Sequence, residues 1–359
     1  MSDDTFRIGM VIPFHGPSGI WGPSAQAATE FAVQELNETG GILGKPTSVV
    51  WVDGGRGLDN VSAELTQLIE HNAIDGISGW HTSAVREAII PAIKGRVPYT
   101  YPAQYEGGEH ARNVYCIGET PTQQVEPAMR WLKETSGISR WAIVGDDYIW
   151  PRKTTTFIES LRDEMSISIS SECFLTPDQM TTTQLRNVVR DIADSRPDGV
   201  MVLMVGQHAA LFNREFSRQG HQDTIVRFCP LIEENTLLAS GIDTTRNLYT
   251  AGGYFPTLPT EESLALLERF VKHKGLYAPV IGSTAEACYE GILALRAIAE
   301  DSDQNSAGTD RTNPADNIGK CFSFNSPRGA VSFTTEGASQ KIYIARASNF
   351  NFDVLDVIA

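Results

Sequence analysis

The residues best equipped for chemistry fall in short loops that follow apolar runs. These are His15, Trp21, Trp80, His81, Ser83, Tyr101, Gln104, Tyr105, Asp146, Asp147, Tyr148, Trp150, Gln207, His208 and Tyr254. Indoles and phenols give a small molecule flat walls, while Ser, Gln and Tyr aim a few hydrogen bonds at it. Such a lining suits a neutral polar molecule better than a phosphate. Ser83 stands where a helix should begin, so its hydroxyl and the following N–H groups would converge on one acceptor, a carbonyl oxygen or a carboxylate. Each residue also has a purely structural reading: Ser83 as an N-cap, the tryptophans as packing, Asp146 and Asp147 as helix caps.

Patterns for other chemistry are missing from the sequence. There is no H-E-x-x-H, Walker loop or G-x-S-x-G, and the seven histidines are not spaced as ligands on one helix face. HGPSGIWGP lacks G-x-G-x-x-G and places Trp21 where a pyrophosphate needs bare backbone, so neither a cofactor nor a metal is expected. A hydrolase would need Ser83 paired with His81 or His208, and the expectation is a binding protein rather than an enzyme.

These loops hang on an alternation of strand-length apolar runs with helical periodicity. RIGMVIPF, TSVVWVD, DGISGW and VPYTYP alternate with AQAATEFAVQELN, NVSAELTQLIEHN and SAVREAIIPAIKG. A second series opens at Thr120-Pro121-Thr122-Gln123, a capping box with proline in the first turn, and continues through RWAIVGDDY, ISSECFL, DGVMVLMVG and TIVRFCP. Near-continuous apolar strands predict parallel sheets covered on both faces, and two sheets rather than one very wide one. Two long helices, SLALLERFVKHKG and TAEACYEGILALRAIAEDS, follow. DQNSAGTDRTNPADN, short enough for a surface loop, separates them from a strand-rich end.

The chain has 359 residues and a net charge of −15 without a basic run, which argues against a nucleic-acid or anionic-membrane surface. Five scattered cysteines without C-x-x-C fit a reducing compartment. MSDDTFRIGMVIPF has the acidic start and short apolar run of no signal peptide, so the cytoplasm is expected. The alternative is a periplasmic or lipid-anchored extracellular protein whose leader has been removed.

TYPAQYEGGEHARNVYCIGETPTQQ resembles the type I periplasmic-binding-protein family, in the branch of the amide-sensing regulator of aliphatic amidase and the urea and short-amide transport proteins. RIGMVIPFHGPSG, ELNETGGILGKP, GDDYIWPR and TAEACYEGILAL carry the likeness in order along most of the chain. The resemblance implies two doubly wound α/β lobes joined by three crossings with a ligand cleft between them: residues 1–119 with 254–326, and 120–253 with 327–359. Carried over, Ser83 matches the serine that contacts the ligand carbonyl, Tyr101 and Ala103-Gln104 match the strand-end contacts, and Tyr148 matches the second-lobe tyrosine. The amide regulator has Thr-Pro where this chain has Ala103-Gln104, and Tyr-Ile-Tyr-Pro where it has Tyr148-Ile149-Trp150-Pro151.

The function so implied is sensing of an amide, urea or nitrile-related ligand to control a catabolic operon through an antitermination partner. The alternative is the solute receptor of an ABC permease for urea, short amides or branched-chain amino acids. A homo-oligomer stays open in both.

Overall fold

The computed structural model describes residues 5–306, 321–334 and 337–359. The acidic start, Met1–Asp4, and most of the polar DQNSAGTDRTNPADN segment lie outside the described residues.

The elements run in chain order as follows. The first stretch holds β1 (Phe6–Ile12), α1 (Gly22–Glu38), β2 (Thr47–Asp53), α2 (Leu58–Glu70), β3 (Gly76–Ser78), α3 (Ser83–Ile93), β4 (Tyr99–Tyr101) and β5 (Val114–Cys116). The second holds α4 (Pro121–Ser136), β6 (Arg140–Asp146), α5 (Ile149–Ser160), α6 (Arg162–Met165), β7 (Ser168–Leu175), α7 (Thr182–Asp194), β8 (Gly199–Leu203), α8 (Gln207–Arg218), β9 (Val226–Phe228), α9 (Glu234–Ser240) and β10 (Leu248–Gly252). Then come α10 (Glu261–Lys274), α11 (Ser283–Ser306), β11 (Phe322–Ser326), β12 (Gly329–Thr334), β13 (Gly337–Ser339), β14 (Tyr343–Ser348) and β15 (Asn351–Val357).

The chain divides into two compact units, residues 1–118 with 259–340 and residues 119–258 with 341–359, so it passes from one to the other three times. In the first, a parallel sheet of order β2-β1-β3-β4-β5 is filled by Ile8, Met10, Val11, Ile77 and Tyr99. Helix α2 buries Val61, Leu65 and Ile69, the face its spacing predicts. Helix α11 approaches the sheet at Gly291, where a Cβ would lie 2.4 Å from Ser78 Oγ. Thr100 Oγ1 donates at this crossing, within reach of Gly291 C=O (2.9 Å) and Ser78 Oγ (2.8 Å), and so fixes the strand that carries Tyr101.

In the second unit the order is β15-β14-β10-β9-β8-β6-β7. The pairs from β7 to β10 are parallel, and β14 and β15 are added antiparallel as a terminal hairpin, so this sheet is mixed. The capping box at the start of α4 is present, with Thr120 N–H donating to Gln123 Oε1 at 3.0 Å.

The unit boundaries differ from those expected at 254–258 and 327–340. Phe255 packs on Phe352 of β15 at 5.6 Å and Thr257 Oγ1 donates to Phe352 C=O at 2.7 Å, which ties 254–258 to the second unit. Strands β11, β12 and β13 form a small separate sheet whose Val331 and Ala338 pack with Ile117 and Ala294, and whose Phe322 and Phe333 meet Tyr115. The turn after β11 is pinned by Arg328, which is ion-paired with Glu290 and lies 3.8 Å from Glu286, both on α11. Residues 327–340 therefore belong to the first unit.

Candidate functional site

The carboxyl ends of the parallel strands carry the candidate residues in each unit. In the first, β3 is followed by Gly79, whose φ of +124° and position 2.2 Å (as a Cβ) from the Val11 carbonyl admit no side chain. That turn delivers Trp80, His81, Thr82 and Ser83. Trp80 meets Trp21 edge to face at 4.5 Å, and both indoles are buried.

The His81 ring is buried with both nitrogens engaged, Nδ1 3.0 Å from Val11 C=O and Nε2 2.5 Å from Tyr99 Oη. Burial, against the Val11 bond and with the nearby Arg86 charge, pulls its pKa down to about 3. A neutral ring then donates from Nδ1 and accepts the Tyr99 proton at Nε2, which leaves no free nitrogen to activate Ser83. Tyr101 Oη donates to His81 C=O at 2.7 Å, so this phenol is also committed within the unit.

Ser83 differs from these. The N-cap of α3 is Thr82, whose side chain makes no capping bond, and Ser83 is the first helical residue rather than the cap. The residue is 1% exposed, and its hydroxyl lies beside the Tyr101 phenol without a hydrogen bond of good geometry. The start of α3 therefore keeps a buried hydroxyl donor and uncapped N–H groups side by side. Ala103 is buried and Gln104 half-buried in the loop after β4.

The segment YPAQYEGGE encloses a residue that the sequence reading passed over. Arg86, buried on α3, has its guanidinium 5.3 Å from the Tyr101 ring centre and 5.4 Å from that of Tyr105. Glu106 pairs with it at 2.6 Å and Glu109 at 3.3 Å. Burial opposes the charge, but Cys116, Tyr101 and Glu106 hold the guanidinium's pKa above its ordinary value. In SAVREAII it reads as a surface arginine; only its position one turn after Ser83, toward a loop with two acids and two phenols, hints otherwise.

In the second unit, Asp146 ends β6 and accepts from Val205 N–H at 2.8 Å while its other oxygen meets His208 Nδ1 at 2.7 Å. It does not cap α5: the cap position is Tyr148, half-buried, and α5 starts at Ile149 so that Pro151 falls in its first turn. Asp147 pairs with Arg152 at 2.8 Å on the surface. Trp150 and Tyr254 are buried, and Gln207 is exposed at the first position of α8.

A second group was missed here. Glu233 and Glu234, after β9, are 2% and 3% exposed, and burial with the Glu233 charge pushes the Glu234 carboxyl up to about 8, against a backbone N–H bond. In sequence, EEN reads as a solvated helix start.

No group of His, Cys, Asp or Glu among the described residues is arranged to hold a metal ion, and no helix among them is long and apolar enough to cross a membrane. The five cysteines form no disulfide.

Two α/β units with polar groups gathered at their strand ends are the architecture of a ligand-binding protein, and residues 5–351 match the model of the periplasmic binding protein family. The chain belongs to that family and has its type I two-lobe fold. Among solved structures it is similar to a solute binding protein of an ABC transporter from R. palustris in complex with benzoate (18% identity, 99% and 96% of the two chains covered, TM-score 0.83). It is also similar to the branched-chain amino acid transporter substrate binding protein LivJ from Streptococcus pneumoniae in complex with isoleucine (18%, 99% and 99%, 0.82). A solute binding protein from Rhodopseudomonas palustris BisB5 in complex with 3,4-dihydroxybenzoic acid is a third (20%, 99% and 99%, 0.81). These matches do not single out the amide-sensing branch.

Proposed function

We propose that the chain is the solute-binding component of an ABC importer, and that its solute presents a carbonyl or carboxylate oxygen to Ser83 and the first N–H groups of α3. The observation that carries this reading is the buried Ser83 hydroxyl without a partner, set at a helix start that no side chain caps. The similar solved structures support transport ahead of operon control: all three are transporter components, and benzoate, isoleucine and dihydroxybenzoate all carry a carboxyl group. The partner is then an ABC permease and the location periplasmic or extracellular, in place of the cytoplasm. Recognition is binding without turnover.

Calorimetric titration and thermal shift against branched-chain amino acids, benzoates, short amides and urea test this. A solute at a hundredfold over its Kd adds about 2.7 kcal/mol, a rise of several degrees in Tm. Ser83→Ala should bind at least tenfold more weakly, about 1.4 kcal/mol, with its own Tm unchanged. No response to any solute, or full affinity in Ser83→Ala, overturns the reading.

A further inference from the structure

We infer that residues 271–280, between the last turn of α10 and the start of α11, form a docking surface for the permease, fitted to an apolar recess with carboxylates at its rim. This rests on the function proposed above and names the surface that meets its partner.

Leu276 and Tyr277 are 98% and 95% exposed, and Val271 and Val280, before and after them in the chain, are exposed too. The next most exposed large apolar side chain among the described residues, Leu238, reaches only 63%. Single exposed apolar residues are ordinary, but an adjacent pair held wholly in water marks a contact surface. The charge around this pair is the reverse of that of the whole chain. Residues 269–285 hold Arg269, Lys272, His273 and Lys274 and no carboxylate, in a chain of net charge −15. Arg269 and Lys274 pair with Glu35 and Glu30 of α1, which leaves Lys272 exposed without an ion pair among the described residues. The complementary surface is therefore apolar and acidic.

Helix packing places this segment at the solute end of the unit. Helix α11 runs against the strands: a Cβ at Gly291 would meet Ser78 and Pro102, at the ends of β3 and β4, whereas Leu295 packs on Gly76 at the start of β3. Its first turns therefore project roughly 12 Å past the carboxyl ends that carry Trp80, Ser83 and Tyr101. The ion pairs agree: from Arg269–Glu35 to Lys274–Glu30, α10 runs back toward the start of α1, which follows the carboxyl end of β1. A solute held at that end leaves through it, so the permease faces this rim. Two other occupants fit less well. A two-fold dimer through the segment would bring two basic stretches together, and the net charge of −15 opposes approach to an anionic bilayer.

The test puts a photo-crosslinking amino acid in place of Tyr277 in the full chain, expressed in its own cells. The control position is Leu43, exposed in the turn before β2 at the opposite end of the unit. The product from the Tyr277 position should be identified by mass spectrometry as an ABC permease subunit, with no such product from the Leu43 position. In cells lacking the native gene, Leu276→Ser with Tyr277→Ser should lower uptake of the solute found by the titrations above roughly tenfold or more, while the purified variant keeps the wild-type Kd and Tm. Lys272→Glu should lower uptake several-fold and Lys272→Arg should leave it unchanged. Wild-type uptake in the double variant, a changed Kd, or crosslinking to a second copy or to no protein overturns this inference and leaves the proposed function standing. So does sedimentation of wild type, but not of the double variant, with vesicles of phosphatidylcholine and phosphatidylglycerol, which would assign the segment to lipid. Uptake that does not need the gene overturns the proposed function and this inference with it.

Discussion

Asp146 stands 2.7 Å from Nδ1 of His208 and through its other oxygen accepts the Val205 N–H, so one carboxylate joins the end of β6 to the start of α8. Asp146→Ala should cost about 2–4 kcal/mol, because it leaves a buried N–H and a buried imidazole without an acceptor. Asp146→Asn, which retains one acceptor, should cost less. Urea unfolding followed by tryptophan fluorescence measures both, and equal losses would mean that the charge rather than the geometry matters.

Glu234 should make the protein less stable as pH rises. Its folded pKa, pushed up to about 8, exceeds the ordinary value of 4.5. Between these values the folded state keeps a proton that the unfolded state has released, so stability falls from about pH 4.5 to pH 8 and then levels, by on the order of a few kcal/mol. Glu234→Gln should therefore match wild type near pH 4.5 and exceed it at pH 8. Parallel pH profiles in denaturant would argue against a buried carboxyl that holds its proton there.

Gly79→Ala should destabilise by roughly 3 kcal/mol or more, since the new methyl would strike the Val11 carbonyl at a φ that L residues rarely adopt. It should also weaken solute binding, because the same turn aims Trp80 through Ser83. Gly137→Ala, in the left-handed helical region at a φ of +72° with nothing within 4 Å of its Cβ, should cost only about 1 kcal/mol. Thermal melts of the two variants provide the comparison.

Glu290→Gln should cost about 3–5 kcal/mol, as it leaves Arg328 with weakened compensation in a site where both side chains are at most 4% exposed. The loss should appear first as exposure of the β11–β12 turn, readable by hydrogen exchange at Ser326–Gly329. Protection there equal to wild type would show that the small sheet holds the turn without the ion pair.

The alternation of strands and helices, the capping box at Thr120 and the strand ends that carry the polar residues were legible because each is a local pattern. Ser83 was legible as a helix-start residue, although Thr82 takes the cap position. Arg86 was not, since a charged residue among apolar helix positions reads as exposed until the loop holding Glu106 and Glu109 is seen to fold over it. Glu233 and Glu234 were hidden for the same reason. The division of the final strands was also hidden. Both VSFTT and KIYIARAS read as strands, and only their long-range partners, Ile117 and Tyr115 for one and β10 for the other, assign them to different units.

The three passages of the chain between units impose an order on synthesis. Strand β10 is complete by Gly252, yet its antiparallel neighbour begins at Tyr343. Until β14 emerges, one side of β10 is an unpaired edge, able to capture strands of other chains. A second unit made as the contiguous stretch 119–258 would keep that edge permanently. The C-terminal hairpin is thus a late closing element, and shortening it should lower the yield of native protein by aggregation before it alters the affinity of molecules that do fold.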